Sequence, residues 1–578
     1  MERIRWILLG SVLVGAYVPA DAAQWQITPS LTLRETYSDN INLRPEGGED
    51  AWVTEINPGI SISRGRVSGG FGGFGGLGGI GGFGGGLGGI GGFGGAGLRG
   101  GLGGVGGLGG GFGGFSGFGG GGLGGGLGGI GGFGGLGGLG GGGRLALNLN
   151  YRMQNIFSTQ EGRSYDLRHQ LQANSTAELV RNSIFLNARA SAGQTLINPQ
   201  GRQFADNLAN TGNRANFYTF GLSPVWRHHF GGYADAVASL GYNYVTTSTS
   251  QASATHTYTQ SAFLQSGRRF NLLTWSGGIQ NARQVRVGGQ EVRFRSGIGR
   301  INYRLTRTFS LFVQGGFVDN QFRSTRGTNR NGLFYTVGAT WTPMRQLSIT
   351  AGGGRNSFVT VTLQPTRRTL LQGSYQRNNV GSLTGNVFQG LIQHRTRHTV
   401  WQGRYFETVT TTQTVLAEQQ IFNEFGNVDE QPVLVPTDLP ELVDEVFVRR
   451  RGELSFTGNT AKNTFNARVY QERRTFEVRK TESKVFGLYG SWTWRWGART
   501  YSLVHGNWQT SDLAGGRGRG FGVQGGGNTF WIAAFRITRR LSPDVNAYVE
   551  YRHQEQSSDS AELDYQENRA LAAINMRF

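Results

Sequence analysis

Two sets of charged residues define the chemistry open to this chain. The first is arginine at alternate positions of extended stretches. Arg34, Arg168, Arg293, Arg295, Arg404, Arg468, Arg552 and Arg577 each fall on the polar side of a two-residue alternation. A guanidinium is a planar fork of donors that matches carboxylate and phosphate and stays charged at physiological pH. Lining a water-filled tube, such groups would concentrate anions and still release them. The second set is acidic. From Glu418 the chain carries Glu424, Asp429, Glu430, Asp438, Glu441, Asp444 and Glu445, with no basic residue before Arg449. The segment Gln413–Asp444 also holds "IFNEF" and "PVLVP", so it has apolar content with which to pack. A long loop opposite in charge to the arginines is a candidate plug or gate; the alternative is an exposed acidic loop at the surface.

Other chemistries find little support. The absence of Cys removes disulfides, thiol catalysis and Cys-ligated metals. His394 and His398 are four apart but flank a basic turn rather than lying on a helix, so they offer no two-ligand metal face. "GxGxxG" recurs between Gly69 and Gly143, yet no buried strand leads into it, no helix follows, and no "GKS" or "GKT" is present. No nucleophile motif stands out. We expect no catalytic, cofactor-binding or metal-binding residues, and no cofactor. The net charge of +20 comes almost wholly from Arg, the only lysines being Lys462, Lys480 and Lys484. These arginines are spread over strands and turns rather than gathered in one patch, so nucleic acid is not an expected partner.

The elements that would carry the arginines are strands. Trp25, Ile27, Leu31 and Leu33 alternate with Thr28, Ser30, Thr32 and Arg34. Leu333, Tyr335, Val337, Ala339 and Trp341 alternate with Thr336, Gly338, Thr340 and Thr342, and the same period runs through Phe486–Trp496 and Val545–Arg552. Short basic or Pro-containing turns recur about every 40 residues, the length of one hairpin with its loop. They include "HHFGGY" at His228, "TPMRQL" at Thr342 and "ITRRLSPD" at Ile537. The intervening connections are longer: Ile197–Thr211, Ser324–Asn331, Gln413–Asp444 and Thr510–Gly526. Short turns at one end and long loops at the other are the wiring of a membrane barrel.

The pattern predicts an all-β fold: a large transmembrane antiparallel β-barrel of about 24 strands, in the range 20–24. Trp25, Trp341, Trp492, Trp494 and Trp496 would form part of its aromatic girdle. Residues 1–22 read as a cleaved export signal, with two arginines, an apolar run Trp6–Val18 and an "ADA" cleavage site. Residues 23–68 hold the first two strands, 69–143 a Gly-rich low-complexity insertion in a periplasmic turn, and 144–578 the rest of the barrel. The chain ends on a strand in which Ala572, Ile574, Met576 and Phe578 alternate with Ala573, Asn575 and Arg577, a signal for the barrel-assembly machinery. The outer membrane, with its lipid, is the expected location.

Several stretches resemble the outer-membrane β-barrel family associated with PEP-CTERM/exosortase systems and exopolysaccharide gene clusters. They include "WQITPSLTLRETYSDNINLRP", "VTEINPGISIS", "LNYRMQNIF", "LRHQLQANSTAELV", "ADNLANTGNRANFYTFGLSPVWRHHFGGYA", "HRTRHTVWQGRYFETVTTTQ" and the terminal strand. The likeness spans nearly all of the mature chain except residues 69–143, where the family has a short turn. It implies a barrel and a surface-polysaccharide context, and no catalytic residues. With the Arg-rich faces, it leads us to expect a pore serving the export or assembly of an anionic exopolysaccharide, with periplasmic export components as partners. The alternatives are a passive porin and a non-conducting anchor.

Overall fold

The computed structural model describes residues 25–64, 145–160, 165–209, 211–287, 289, 291–323, 327, 329–418, 440–514 and 527–578. The export signal, the Gly-rich tract and Glu424, Asp429, Glu430 and Asp438 lie outside these residues.

The described chain forms 24 strands. They are β1 (Trp25–Ser38), β2 (Ala51–Arg64), β3 (Leu145–Ser158), β4 (Tyr165–Val180), β5 (Ile184–Leu196), β6 (Arg214–Phe230), β7 (Ala234–Thr247) and β8 (Thr255–Ser266). Next come β9 (Leu273–Arg286), β10 (Val292–Arg304), β11 (Phe309–Gln321), β12 (Gly332–Met344), β13 (Leu347–Gly354), β14 (Asn356–Thr366), β15 (Thr369–Asn378) and β16 (Gly385–Arg395). The last are β17 (Thr399–Thr411), β18 (Val446–Asn459), β19 (Asn463–Phe476), β20 (Glu482–Arg495), β21 (Thr500–Ala514), β22 (Gly527–Arg540), β23 (Val545–Ser558) and β24 (Tyr565–Arg577). One short helix, α1 (Thr412–Ala417), follows β17.

Each strand pairs antiparallel with its sequence neighbours, and β1 closes the ring on β24 from Ser30↔Arg577 to Ser38↔Arg569. The strand number, the closure and the turns at His228, Thr342 and Ile537 follow the sequence expectation. β2 pairs directly with β3, Val53 opposite Ser158 and Arg64 opposite Leu147, so residues 65–144 join two adjacent strands at the short-turn end. Both ends of the described chain lie there too, and the wiring rule makes it the periplasmic end.

Alternation sets the two faces. Ile27, Leu240, Ile279, Leu333 and Val549 point outward and are more than half exposed, as a lipid-facing band requires. Trp25, Trp341, Trp492, Trp494 and Trp496 all face outward near the periplasmic end; Trp492 stacks on Trp494 at 6.0 Å between ring centroids, and Trp496 lies tilted against Trp494 at 5.3 Å. Tyr37–Trp52, Phe157–Tyr165 and Tyr375–Phe388 pair at 5.1–5.2 Å near the other end. Ile574 and Phe578 of the terminal strand also face outward, and the Phe578 N–H donates to Pro29 O at 3.0 Å.

The wall is not uniformly joined. β16 and β17 pair only from Gly390↔Tyr405 to Arg395↔Val400, their periplasmic halves. Above this seam β17 stays fully paired with β18, and β18 with β19. That leaf turns into the barrel. Its run "VFV" at Val446 is apolar on both faces, the pattern of a strand covered on both sides. Val409, Val446 and Val448, on the nominally outward face, pack with Ala282, Val292, Phe294 and Val387 of β9, β10 and β16. Phe447 and Phe476, on the other face, pack with Phe217 and Val245 of β6 and β7. Thr411 Oγ1 and Thr414 Oγ1 bond the Gln284 amide of β9 at 3.2 and 2.9 Å.

The lobe that the leaf cuts off, from β10 to β16, is filled by apolar side chains such as Ile298, Phe334, Phe312 and Phe358. Its tight packing rests on Gly338. A Cβ there would lie 2.2 Å from Ala351 O and 2.5 Å from the Phe312 ring. We expect Gly338→Val to abolish assembly, read as loss of the heat-modifiable band on a gel, while Gly353→Ala, whose Cβ meets open space, assembles normally.

Candidate functional site: a charged wall and the loop that docks on it

The larger part of the lumen carries two buried networks of Arg and carboxylate. The first spans the strands around the closure. Arg34 Nη1 donates to Glu55 at 2.8 Å, and Arg536 Nε and Arg552 Nη2 donate to the two oxygens of Glu550, each at 2.7 Å. Arg569 Nε donates to Glu567 at 2.7 Å, and Glu567 also accepts from Ser38 and Gln554. Each guanidinium lies two residues along or one strand across from its carboxylate, which the two-residue period places on the same inner face.

Into this wall comes the loop 197–213 between β5 and β6. Asp206 accepts from Arg569 Nη1 at 2.6 and 2.7 Å and from Arg552 Nη1 at 2.7 Å, and its backbone cap is the Leu208 N–H at 3.0 Å. Burial alone would raise the Asp206 carboxyl, but Arg569 and Arg552 reverse this and hold it well below the usual carboxylate range. The wall supplies four cations, Arg34, Arg536, Arg552 and Arg569, and three carboxylates, Glu55, Glu550 and Glu567. Asp206 is the fourth, and it comes from the loop.

Apolar contacts seat the same loop. Phe204, Ala205 and Ala209 pack with Leu43, Leu196, Phe530, Ile532 and Tyr565, and Leu208 packs with Ile41, Val53 and Ile156. Asn207 donates to Gln154 at 3.1 Å and Gln194 at 2.8 Å. The loop 39–50 thus joins the loop 197–213 in covering the extracellular mouth.

The second network lies on the inward leaf. Glu472 accepts from Arg449 at 2.9 Å, Arg451 at 2.7 Å and Arg474 at 2.6 Å, and Arg451 also reaches Glu453 at 3.0 Å. From the same leaf α1 extends to β6 and β7, burying Val415 and Leu416. The Leu442 N–H donates to Ile197 O at 3.0 Å, so the covering loops meet. β5–β6 and β17–β18 stand half the ring apart, so this bond lies over the lumen.

Of the arginines singled out by alternation, Arg34, Arg168, Arg404, Arg468, Arg552 and Arg577 face inward. Arg168 pairs with Asp166, while Arg404 and Arg468 lie over the rings of Phe406 and Tyr470 at 4.6 and 5.5 Å. Arg293 and Arg295 do not face the lumen. They share the outer face of β10 with Ile301 and Tyr303, and Val292, Phe294 and Ile298 point inward. The reason is local: this part of the wall encloses the apolar lobe, so its greasy residues turn in, while the outer face at this height has left the apolar band.

The described acidic residues of the segment 412–445 act mainly at the rim. Asp444 accepts from Ser253 N and Gln413 Nε2, and Glu445 from the N–H groups of Val478 and Arg479. Glu441 pairs with Arg479 at 2.9 Å. Glu418 stands within electrostatic reach of Arg449, Arg189 and Arg404.

Sequence reasoning passed over Asp206, a lone acid in "ADNLANTG" with no run around it. Its position between Phe204 and Leu208 was the available signal, since a loop with apolar residues on both sides of one acid has something to bury. Arg536 and Arg569 were legible by parity with their exposed neighbours, Phe535 and Ile574.

A closed antiparallel barrel with an apolar outer band, aromatic belts at both ends and a buried ionic interior is a transmembrane barrel of the outer-membrane type. No protein-family model and no curated protein matches the sequence. Among solved structures the chain is similar to the siderophore receptor PirA from Acinetobacter baumannii, with a TM-score of 0.40, 8% identity, and 96% of this chain and 80% of that one covered. For the FrpB iron transporter from Neisseria meningitidis (F3-3 variant) the values are 0.41, 8%, 95% and 82%. For OmpT of Vibrio cholerae they are 0.23, 7%, 55% and 98%. At these scores the likeness decides nothing further; the class rests on the closure and the two faces.

Proposed function

We propose that the protein is a gated outer-membrane conduit for an anionic surface polysaccharide, its extracellular mouth covered by the loops described above. The observation that carries this reading is the salt bridge of Asp206 to Arg552 and Arg569. The loop supplies the one carboxylate that the wall lacks, so an anion arriving from the lumen competes for the same two forks. A uronate or other acidic sugar presents that group. Displacing Asp206 frees the loop from its ionic anchor, and apolar contacts with a few neutral hydrogen bonds, such as those of Asn207 to Gln154 and Gln194, then oppose opening. In open water each further contact with the polymer is weak enough to release.

The test is planar-bilayer conductance of the refolded barrel beside a variant in which 198–212 is replaced by a short Gly-Ser turn. We expect the parent to be closed or flickering and the variant to conduct steadily. Micromolar alginate should open the parent, and neutral dextran of equal length should not. If both proteins insert and neither conducts, the conduit reading fails and the anchoring alternative takes its place.

A further inference from the structure

The two arginines that leave the lumen define a site of their own. On the outer face of β10, reading down from the extracellular end, stand Arg293, Arg295, Gly297, Gly299, Ile301 and Tyr303. Gly299 lies abreast of Gly277 on β9 and Gly315 on β11, so three neighbouring strands present bare backbone at one level. The result is an apolar groove of about 480 Å³ in the outer wall, floored by Gly277, Gly299 and Gly315 and flanked by Trp226, Leu264, Ile279 and Phe317. In a lipid-facing wall such a trough is filled by whatever chain lies against it, since an empty one forfeits the packing of its lining.

What sits above the groove selects the occupant. Three neighbouring or comparable cations on the outer face are ion-paired: Arg283 binds both oxygens of Glu291 at 2.7 Å, Arg450 reaches Glu407 at 3.1 Å and Arg473 reaches Glu482 at 2.7 Å. Arg293 has only Asn281 Oδ1 at 3.4 Å, and Arg295 lies 5.7 Å from the centroid of the Phe317 ring. Asp319 faces Arg295 across the strand pair without an ion pair to it. Neither Arg293 nor Arg295 forms an ion pair among the described residues, and Glu291, held by Arg283, stands within electrostatic reach of Arg293. They stand near the extracellular end of their strand, the height at which outer-leaflet head groups begin.

We propose that this face binds one acylated, phosphate-bearing lipid of the outer leaflet. Its phosphate is gripped by Arg293 and Arg295, and one acyl chain lies in the trough over Gly277, Gly299 and Gly315, beside the Phe317 ring that covers Gly297. Two forks without an ion pair, at head-group height, meet the phosphate, and the groove beginning one residue pair below meets the chain. The inference is independent of what passes through the lumen.

Native mass spectrometry of the full-length mature barrel in neutral detergent tests it, with bis-phosphorylated lipid A as the probe and a diacylglycerol of matching chain length as the uncharged control. We expect one lipid A to be retained by the parent. The pair Arg293→Gln and Arg295→Gln should weaken retention at least tenfold and leave the diacylglycerol unchanged. Gly299→Leu, whose side chain enters open space in the groove, should weaken both lipids. Parental retention by the Gln pair would overturn the proposal. So would a Gly299→Leu protein that keeps its lipid A but changes from dimer to monomer, because the groove would then be a contact between copies of the chain.

Discussion

If the barrel is the gated conduit proposed above, Asp206→Asn should open it. In single-channel records the variant should spend at least ten times as long open as the parent, with both inserting equally well. Truncating one partner of a buried ion pair costs roughly 3–5 kcal/mol, because the partner charge is left uncompensated. Arg552 and Arg569 keep Glu550 and Glu567, so part of that cost is recovered, and a tenfold change corresponds to only about 1.4 kcal/mol. The dependence on pH follows from the depressed carboxyl of Asp206. Docking stabilisation is fully present above the ordinary carboxylate pKa, about 4, and is lost as the pH falls through the lower value of the docked loop. The parent should therefore stay closed when the pH is lowered from neutrality to about 5 and begin to open only below about 4. The Asn variant should be open throughout. A parent that opens between neutrality and about pH 5 would assign the gate to some other group.

Glu472→Gln should damage the barrel rather than the gate. Three guanidiniums converge on this carboxylate, and two of them, those of Arg451 and Arg474, are almost fully buried. Gln has one carbonyl oxygen and no charge, so the three cations repel one another in a site with little water. Breaking such a buried ion pair costs roughly 3–5 kcal/mol, and Glu453 remains to hold Arg451. We expect a clear fall in the urea midpoint of unfolding and in the temperature at which the heat-modifiable band converts. A double variant, Glu472→Gln with Arg449→Gln, should recover part of that fall by removing one of the repelling charges. A midpoint unchanged in the single variant would mean that water reaches this network freely.

Much of this architecture was legible from alternation alone, because a lipid-facing barrel writes its inside and outside into every second residue. Leu333 to Trp341 and Val545 to Tyr551 point where their polarity says. Parity fails as a guide where the surroundings of a strand change along its length. At Arg293 and Arg295 the inner face is a greasy lobe and the outer face is the rim, so polarity and direction exchange. At Val446–Val448 both faces are covered, which a run of three apolar residues suggests but cannot place, since it does not say which distant strands do the covering. The site was harder to read for a different reason. Charge runs draw attention, yet the described acids of the long segment mostly tie the rim, while a single acid in a quieter loop holds the wall. The interaction that matters joins Asp206 to residues more than 300 positions away, and local pattern carries no trace of such a distance.

The seam between β16 and β17 bears on how large a molecule the barrel could admit. For a closed sheet the perimeter is set by strand number, and enclosed area grows roughly as its square. With the leaf turned in, the main channel is bounded by β17–β24 and β1–β9, roughly 17 strands. Swinging the leaf outward until β17 lies along the upper half of β16 would return the full 24-strand outline. By the same scaling the cross-section would about double. No existing strand pairing need break for that, and the unpaired upper edge of β17 would gain one in exchange for its packing against β9 and β10. Bore and strand number would then be separate variables, with Gly390 and Tyr405, where the pairing stops, marking the place at which the leaf would turn.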